Sequence, residues 1–210
     1  KVLKGIRLRG FDNGGDRFVI QARPLPSARG AQLQLDVRGE EGALHYSARA
    51  ELLPEARTPE SGMPELALEE WSGGPLYADL LFHRGAFEVI ERVDGISDRG
   101  VDASVLGVDR AGWNGEHWQL DVPALDGALQ LAVLFGQRML DGASLPTAIQ
   151  ELRTWDAAPG KGRIRAVAYA RKVGSSAVTT DILLSDEKGK RLAELLGVEN
   201  HALPAAARKA

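Results

Sequence analysis

Few residues in this 210-residue chain combine the type and the spacing that chemistry needs. Asp126 and Gln130 stand four apart inside an apolar run, so on a helix they are neighbours on one face. Gln137 rejoins the same line about three turns on. A carboxyl desolvated in such a setting resists ionisation, and a carboxylic acid that keeps its proton can pass it to a leaving group. An acid near a helix N-terminus can instead complement the macrodipole or cap free N–H groups, and spacing alone leaves both readings open. Other chemistries find no support. Cysteine is absent, which removes thiolate catalysis, disulfides and Cys-ligated zinc. His45, His83, His117 and His201 fall in no metal-ligand spacing, and neither a Gly-x-Ser-x-Gly elbow nor a phosphate-cradling loop occurs. Net charge is −3 with 26% charged residues, so no basic excess points to nucleic acid.

The acid must be carried by a helix. Pro123 suits the first helical position, where its missing N–H costs nothing. Leu125, Ala128, Leu129, Leu131, Ala132, Val133, Leu134, Phe135, Met139 and Leu140 then point almost all round the axis, which predicts a helix over 123–140 covered on most sides. A curved antiparallel sheet wrapped around one helix would give that cover.

Most of the remaining sequence alternates with period two. This predicts strands at 17–24, 31–38 and 43–52, at 79–96 and 100–108, and after the helix at 145–155, 162–172, 176–185 and 190–198. Pro54, Pro59, Pro64 and Pro75, with several acids and Gly73-Gly74, mark 53–75 as a linker. Residues 205–210 read as a frayed tail. No run of 18 apolar residues exists, so no membrane-spanning helix is expected. The chain opens on what looks like the middle of a strand, as if cut from a longer protein.

The two ends of the chain echo each other. Arg17–Arg23 is similar to Arg163–Arg171, and Gly39-Glu40-Glu41-Gly42 to Asp186-Glu187-Lys188-Gly189, each turn leading to Ala-Glu-Leu (50–52 and 193–195). The offsets nearly agree (163 − 17 = 146 and 189 − 42 = 147). We read an internal duplication of a strand-rich unit. The second copy has strands and a helix ahead of its matching region; the first copy has no counterpart to them.

Leu120-Asp121-Val122-Pro123-Ala124-Leu125-Asp126-Gly127-Ala128-Leu129-Gln130 resembles the aspartate motif of dehydratase domains from polyketide synthases and polyunsaturated fatty acid synthases. That motif reads Asp-Pro-Ala-Leu-Leu-Asp-x-x-x-Gln or His. Leu81-Phe82-His83-Arg84-Gly85-Ala86-Phe87-Glu88 resembles the family's channel segment, an aromatic or His followed by Gly-Pro-x-Phe-Gln, with Arg84-Gly85 where Gly-Pro is usual and Glu88 where Gln is usual. Leu145-Pro146-Thr147, opening the strand after the helix, is a third likeness, and Trp113 and Trp118 precede the aspartate motif as in the family.

The resemblance implies an α+β double hot-dog fold, an antiparallel sheet wrapped around a central helix, with the first hot-dog unit incomplete. It divides the chain into a remnant of the first unit (1–52), the linker (53–75), the second unit (76–204) and the tail. It implies removal of water from 3-hydroxyacyl thioesters, with Asp126 and Gln130 catalytic and His83, Gly85, Phe87 and Pro146 lining the substrate channel. The substrate would ride on the phosphopantetheine of an acyl carrier protein, with no further cofactor and no metal. Implied partners are that carrier, other domains of the same cytoplasmic synthase and a second copy in a homodimer, without nucleic acid or membrane. Members take the C2 proton with a histidine in His-x-x-x-Gly-x-x-x-x-Pro, and none of the four histidines here begins that pattern. Two alternatives remain: a dehydratase-like scaffold or acyl-binding module, and a hot-dog thioesterase. A first unit without its helix would expose a sheet face, so aggregation or pairing is expected.

Overall fold

The computed structural model describes residues 15–27, 30–53, 59, 62–113, 118–155 and 162–204. They fall into two units, Lys1–Thr58 and Pro59–Ala210. The expected tail and His117 lie outside the described residues.

In the first unit, β1 (Phe18–Leu25), β2 (Ala31–Gly39) and β3 (Leu44–Leu52) form an antiparallel meander in that order. Alternation sorts its residues onto two faces. Val37 pairs with Ile20 and Tyr46, Leu35 with Ala22 and Ala48, and Leu33 with Pro24 and Ala50, so one face is apolar. The other face is polar. Gln34 Nε2 donates to Asp36 Oδ1 at 3.0 Å and to Ser47 Oγ at 2.7 Å, and Ser47 Oγ donates to Asp36 Oδ1 at 2.9 Å. Those bonds, reinforced by Arg23 and Arg38, hold the Asp36 carboxyl below its ordinary value. The apolar face is partly exposed: Leu33, Leu35 and Val37 are half-buried, while Ile20 is 73% and Tyr46 38% exposed.

The second unit is the expected sheet around a helix. β4 (Ile90–Ile96), β5 (Gly100–Leu106), β6 (Ser144–Thr154), β7 (Arg163–Val173), β8 (Ala177–Ser185) and β9 (Arg191–Ala202) form one antiparallel sheet in the order β4-β5-β7-β8-β9-β6. A one-turn helix α1 (Val108–Ala111) precedes the long helix α2 (Val122–Leu140). Ala124, Ala128, Leu131, Ala132 and Phe135 of α2 are buried with Val105, Ile164, Ala166, Ile182, Leu184 and Leu195 of the sheet. Covering a side chain the size of Leu131 or Phe135 contributes roughly 1.5–3 kcal/mol each. Glycine sets how closely helix and sheet approach. A Cβ at Gly127 would lie 3.0 Å from Val105 Cγ1, and one at Gly136 only 2.5 Å from Ser144 Oγ.

The duplication is present in three dimensions. β7-β8-β9 repeats the meander of β1-β2-β3. In one hairpin Gly39 N donates to Ala43 O and Gly42 N to Gly39 O; in the other Asp186 N donates to Lys190 O and Gly189 N to Asp186 O. Gly42 and Gly189 sit at φ +78° and +79°. The register slips between Val37 and Arg38 in the first copy and between Leu184 and Ser185 in the second, the same position at the hairpin offset. Ile182 and Leu184, the counterparts of Leu35 and Val37, are buried among the residues packed with α2.

Two expectations need correction. Residues 79–89 are not strand. A π-helical turn, Leu76–Leu80, and a 3₁₀ turn, Gly85–Phe87, occupy that stretch, and the strand begins at Ile90. The apolar residues that suggested alternation instead let Leu81 and Val89 bury while Phe82 and Phe87 stay exposed. The last strand runs four residues beyond 198, to Ala202, because β6 continues to pair with it up to Ser144. Within the second unit, Glu69 exchanges two backbone bonds with Ile96 (3.1 and 2.9 Å), and Trp71 packs on the core.

Candidate active site

Asp121 is the N-cap of α2. Its Oδ1 accepts the Ala124 N–H at 3.2 Å and the Val108 N–H at 3.1 Å. No acid lies in the first turn. The capping role left open for Asp126 is therefore filled by another residue, five positions earlier.

Asp126 is half-buried, on the face of α2 that meets residues 77–90. Gln130, 1% exposed, connects the two. Its Nε2 donates to Asp126 Oδ2 at 2.7 Å and to the backbone carbonyl of Phe87 at 2.8 Å. Its Oε1 accepts from the Tyr77 hydroxyl at 2.9 Å, and that hydroxyl accepts the Ile90 N–H at 2.6 Å. One helical stripe along, Gln137 Nε2 donates to Leu80 O at 2.6 Å. The polar line read from the sequence is thus a seam that fastens the irregular 77–87 segment to the helix. Burial is the main cause that pushes the Tyr77 phenol up to about 12, so it stays a donor at any physiological pH.

The channel-motif residues lie against this seam. Phe87 supplies its carbonyl to Gln130, and the residue as a whole is 51% exposed. The ring meets Trp113 edge-on at 5.2 Å, and Trp113 meets Trp118 at 5.9 Å. Trp113 Nε1 donates to Ala86 O at 2.8 Å, which ties this aromatic group to the 3₁₀ turn. His83 stacks on Phe82 at 4.3 Å. Its Nδ1 is buried without a hydrogen-bond partner among the described residues. Burial pulls its pKa down, against a smaller upward pull from the charge of Asp126, so the ring is neutral at neutral pH. Gly85 takes φ +59°, which proline cannot adopt. Arg84 donates to the carbonyls of Tyr77 and His83.

Pro146 is placed differently. It pairs with Asn200 next to a register shift in the edge strand β6. Asn200 and Ser144 are the groups that crowd Gly136. That position is ten residues along α2 from Asp126, about 15 Å at the helical rise. The site thus gathers Asp126, Gln130, His83, Gly85 and Phe87, with Pro146 near the far end of the helix.

Two residues of the arrangement escaped the sequence reading. Asp121 followed closely by Pro123 is a recognisable helix-start signal. Tyr77 carries no local signal, because its partner is 53 positions away. Among the described residues, no three His, Asp or Glu side chains converge as metal ligands would.

A sequence model described as "Polyketide synthase dehydratase N-terminal domain" matches residues 54–210. No curated protein matches in sequence. Among solved structures, the dehydratase domain of RzxB from Pseudomonas fluorescens is similar at TM-score 0.70 and 15% identity, over 95% of this chain and 73% of that one. The dehydratase domain of a mycocerosic acid synthase-like polyketide synthase aligns at TM-score 0.68 and 18% identity, over 93% and 71%. A structure from a study of dehydratase substrate selection in the borrelidin and fluvirucin polyketide synthases aligns at 0.65 and 21%, over 91% and 69%. At these identities the structural likeness speaks for the fold, and it is the fold expected from the resemblance: a helix wrapped by an antiparallel sheet.

Proposed function

This chain belongs to the polyketide synthase dehydratase family, and from that premise we propose that it dehydrates 3-hydroxyacyl thioesters presented on the phosphopantetheine arm of an acyl carrier protein. A base removes a proton from C2, the C2–C3 double bond forms, and the C3 hydroxyl departs as water with a proton from Asp126. Gln130 holds Asp126 Oδ2, and no hydrogen bond engages Oδ1 among the described residues. That arrangement is the observation that carries the reading: an acid relieved of capping, oriented through one oxygen and left available through the other. His83, Gly85 and Phe87 border the acyl or pantetheine path, and no further cofactor is needed for this elimination. The base in this reading is a histidine of the synthase outside the four in this sequence, contributed by the part of the first hot-dog unit that carries its helix. The carrier protein and the synthase's other domains are the partners, and the working form is a homodimer.

The test is Asp126→Asn in the synthase, with enoyl thioester followed by mass spectrometry of the carrier. A positioned acid is worth roughly 10²–10⁴ in rate, so dehydration should fall at least a hundredfold. An unchanged rate would remove Asp126 from the chemistry.

A second reading is kept alive by Gly85. Where the family usually has Gly-Pro, the backbone here adopts a conformation closed to proline, and Arg84 folds back onto Tyr77. On this reading the unit binds acyl chains without converting them. Retained acyl-carrier binding with no enoyl product from the wild-type synthase would favour it.

A further inference from the structure

The hydrogen bonds around Gln130 have only one workable direction. A primary amide has two faces, and a helix-borne glutamine can present either to Asp126. Here the Nε2 protons meet Asp126 Oδ2 and the Phe87 carbonyl, and the carbonyl can only accept. Turning the amide over would set Oε1 against the Phe87 carbonyl oxygen and take the N–H away from Asp126 Oδ2. What enforces the choice on the other side is Tyr77. Its hydroxyl oxygen is already taken by the Ile90 N–H at 2.6 Å, so its proton is free to point only outward, at Gln130 Oε1. Gln130 is 1% exposed, so water is not available to correct a wrong orientation.

We propose that Tyr77 is a positioning residue: its hydroxyl fixes which way round the Gln130 amide faces and so keeps an N–H on Asp126. The chain of donors runs Ile90 N–H, Tyr77 O–H, Gln130 N–H, Asp126 Oδ2, all in one sense. Its anchor is the first residue of β4, so the orientation of the acid is referred to the sheet as well as to its own helix. Removing the Tyr77 hydroxyl leaves Gln130 Oε1 and the Ile90 N–H without their partner and lets the amide sample both orientations. The inference rests on the reading of Asp126 as the proton donor only for its effect on rate; the orientation itself can be observed directly.

Two experiments test it. The first is a side-chain amide spectrum of ¹⁵N-glutamine-labelled chain. The two Gln130 amide protons should exchange with water far more slowly than those of the exposed Gln150, and Tyr77→Phe should abolish that protection while the backbone spectrum persists. Gln130 protons that exchange as fast as those of Gln150 in the wild type would overturn the proposal with no variant needed. The second is a double-mutant cycle in the full synthase. Tyr77→Phe should lower kcat about tenfold with KM little changed, the weight of one neutral hydrogen bond, and should add less than twofold in a Gln130→Leu background. Independent, multiplying losses would overturn it, because Tyr77 would then act by another route. If Asp126→Asn proves harmless, the dehydration reading falls, and the amide spectrum still decides the role of Tyr77.

Discussion

Asp121 and Asp126 divide between them two tasks that the start of a helix can give to a single acid. Asp121 Oδ1 accepts the Ala124 N–H at 3.2 Å and closes the end of α2, while Asp126 faces sideways and holds Gln130 at 2.7 Å. The two substitutions should therefore separate. Asp121→Ala removes a cap and the tie to Val108 N, and should cost about 1–2 kcal/mol of stability, several degrees in melting temperature. Asp126→Asn keeps an acceptor toward Gln130 and should leave the melting temperature within a degree or two while suppressing turnover. Paired melts and product assays on the two variants would check this, and a strongly destabilised Asp126→Asn would show that the acid is structural after all.

Gly136 permits β6 and β9 to approach the helix. An added methyl would meet Ser144 Oγ at 2.5 Å and Asn200 Nδ2 at 3.2 Å, both groups of buried residues. Alanine favours a helix over glycine by about 1 kcal/mol, yet overpacking a filled site costs roughly 1–3 kcal/mol. The contact falls inside the range where the clash wins, so Gly136→Ala should lower stability. Combining it with Ser144→Gly removes the nearest atom and should recover most of the loss. Urea unfolding of the three variants measures it; a stabilised single variant would mean that the helix can shift outward.

His83 makes stability depend on pH in a known direction. Its folded-state pKa lies below the ordinary 6.5 because burial disfavours the imidazolium. Between 6.5 and that lower value the unfolded chain binds the proton and the folded chain does not. Stability from this group is thus complete above 6.5 and is lost as the pH falls through the lowered value. His83→Phe deletes the titration. The difference in stability between variant and wild type should move in favour of the variant as the pH drops below 6.5, and stay level above it. Melting curves from pH 8 to about 5 would trace it. A difference that stays constant across that range would mean that His83 titrates as a solvated imidazole.

The parts of this molecule that were readable in advance are those with a period. Alternation marked Leu33, Leu35 and Val37 as one face, and β2 places them so. The all-round apolar run from Leu125 to Leu140 required a covered helix, and α2 is one. The echo between Gly42 and Gly189 held down to the same register slip, because a hairpin's turn chemistry and bulge are local and survive divergence of the side chains. What could not be read was the segment from Leu76 to Val89. Its apolar residues alternate loosely, as in a strand, but its backbone is held by side chains from α2: Gln137 on Leu80 and Gln130 on Phe87. No local rule encodes a loop whose shape is set by two glutamines more than forty positions downstream, and Tyr77 was invisible for the same reason.

The apolar face of the first sheet carries a prediction about association. Its pattern matches that of β7-β8-β9, where the equivalent residues Ile182 and Leu184 are buried at 0% and 2% exposure, packed with α2. In the first unit their counterparts Leu35 and Val37 are only half-buried, and on the same face Ile20, paired with Val37, is 73% and Tyr46 38% exposed. A three-stranded sheet whose apolar face is partly exposed at Ile20 and Tyr46 offers a surface that self-association covers. The chain as given should bind a hydrophobic dye and show rising mass with concentration by light scattering. Ile20→Lys with Tyr46→Lys places two charges on that face, away from the Asp36 cluster on the other. The pair should reduce both signals several-fold without altering the melting of the second unit. A wild-type chain that stays monomeric at high concentration and binds no dye would show that the face is covered from within.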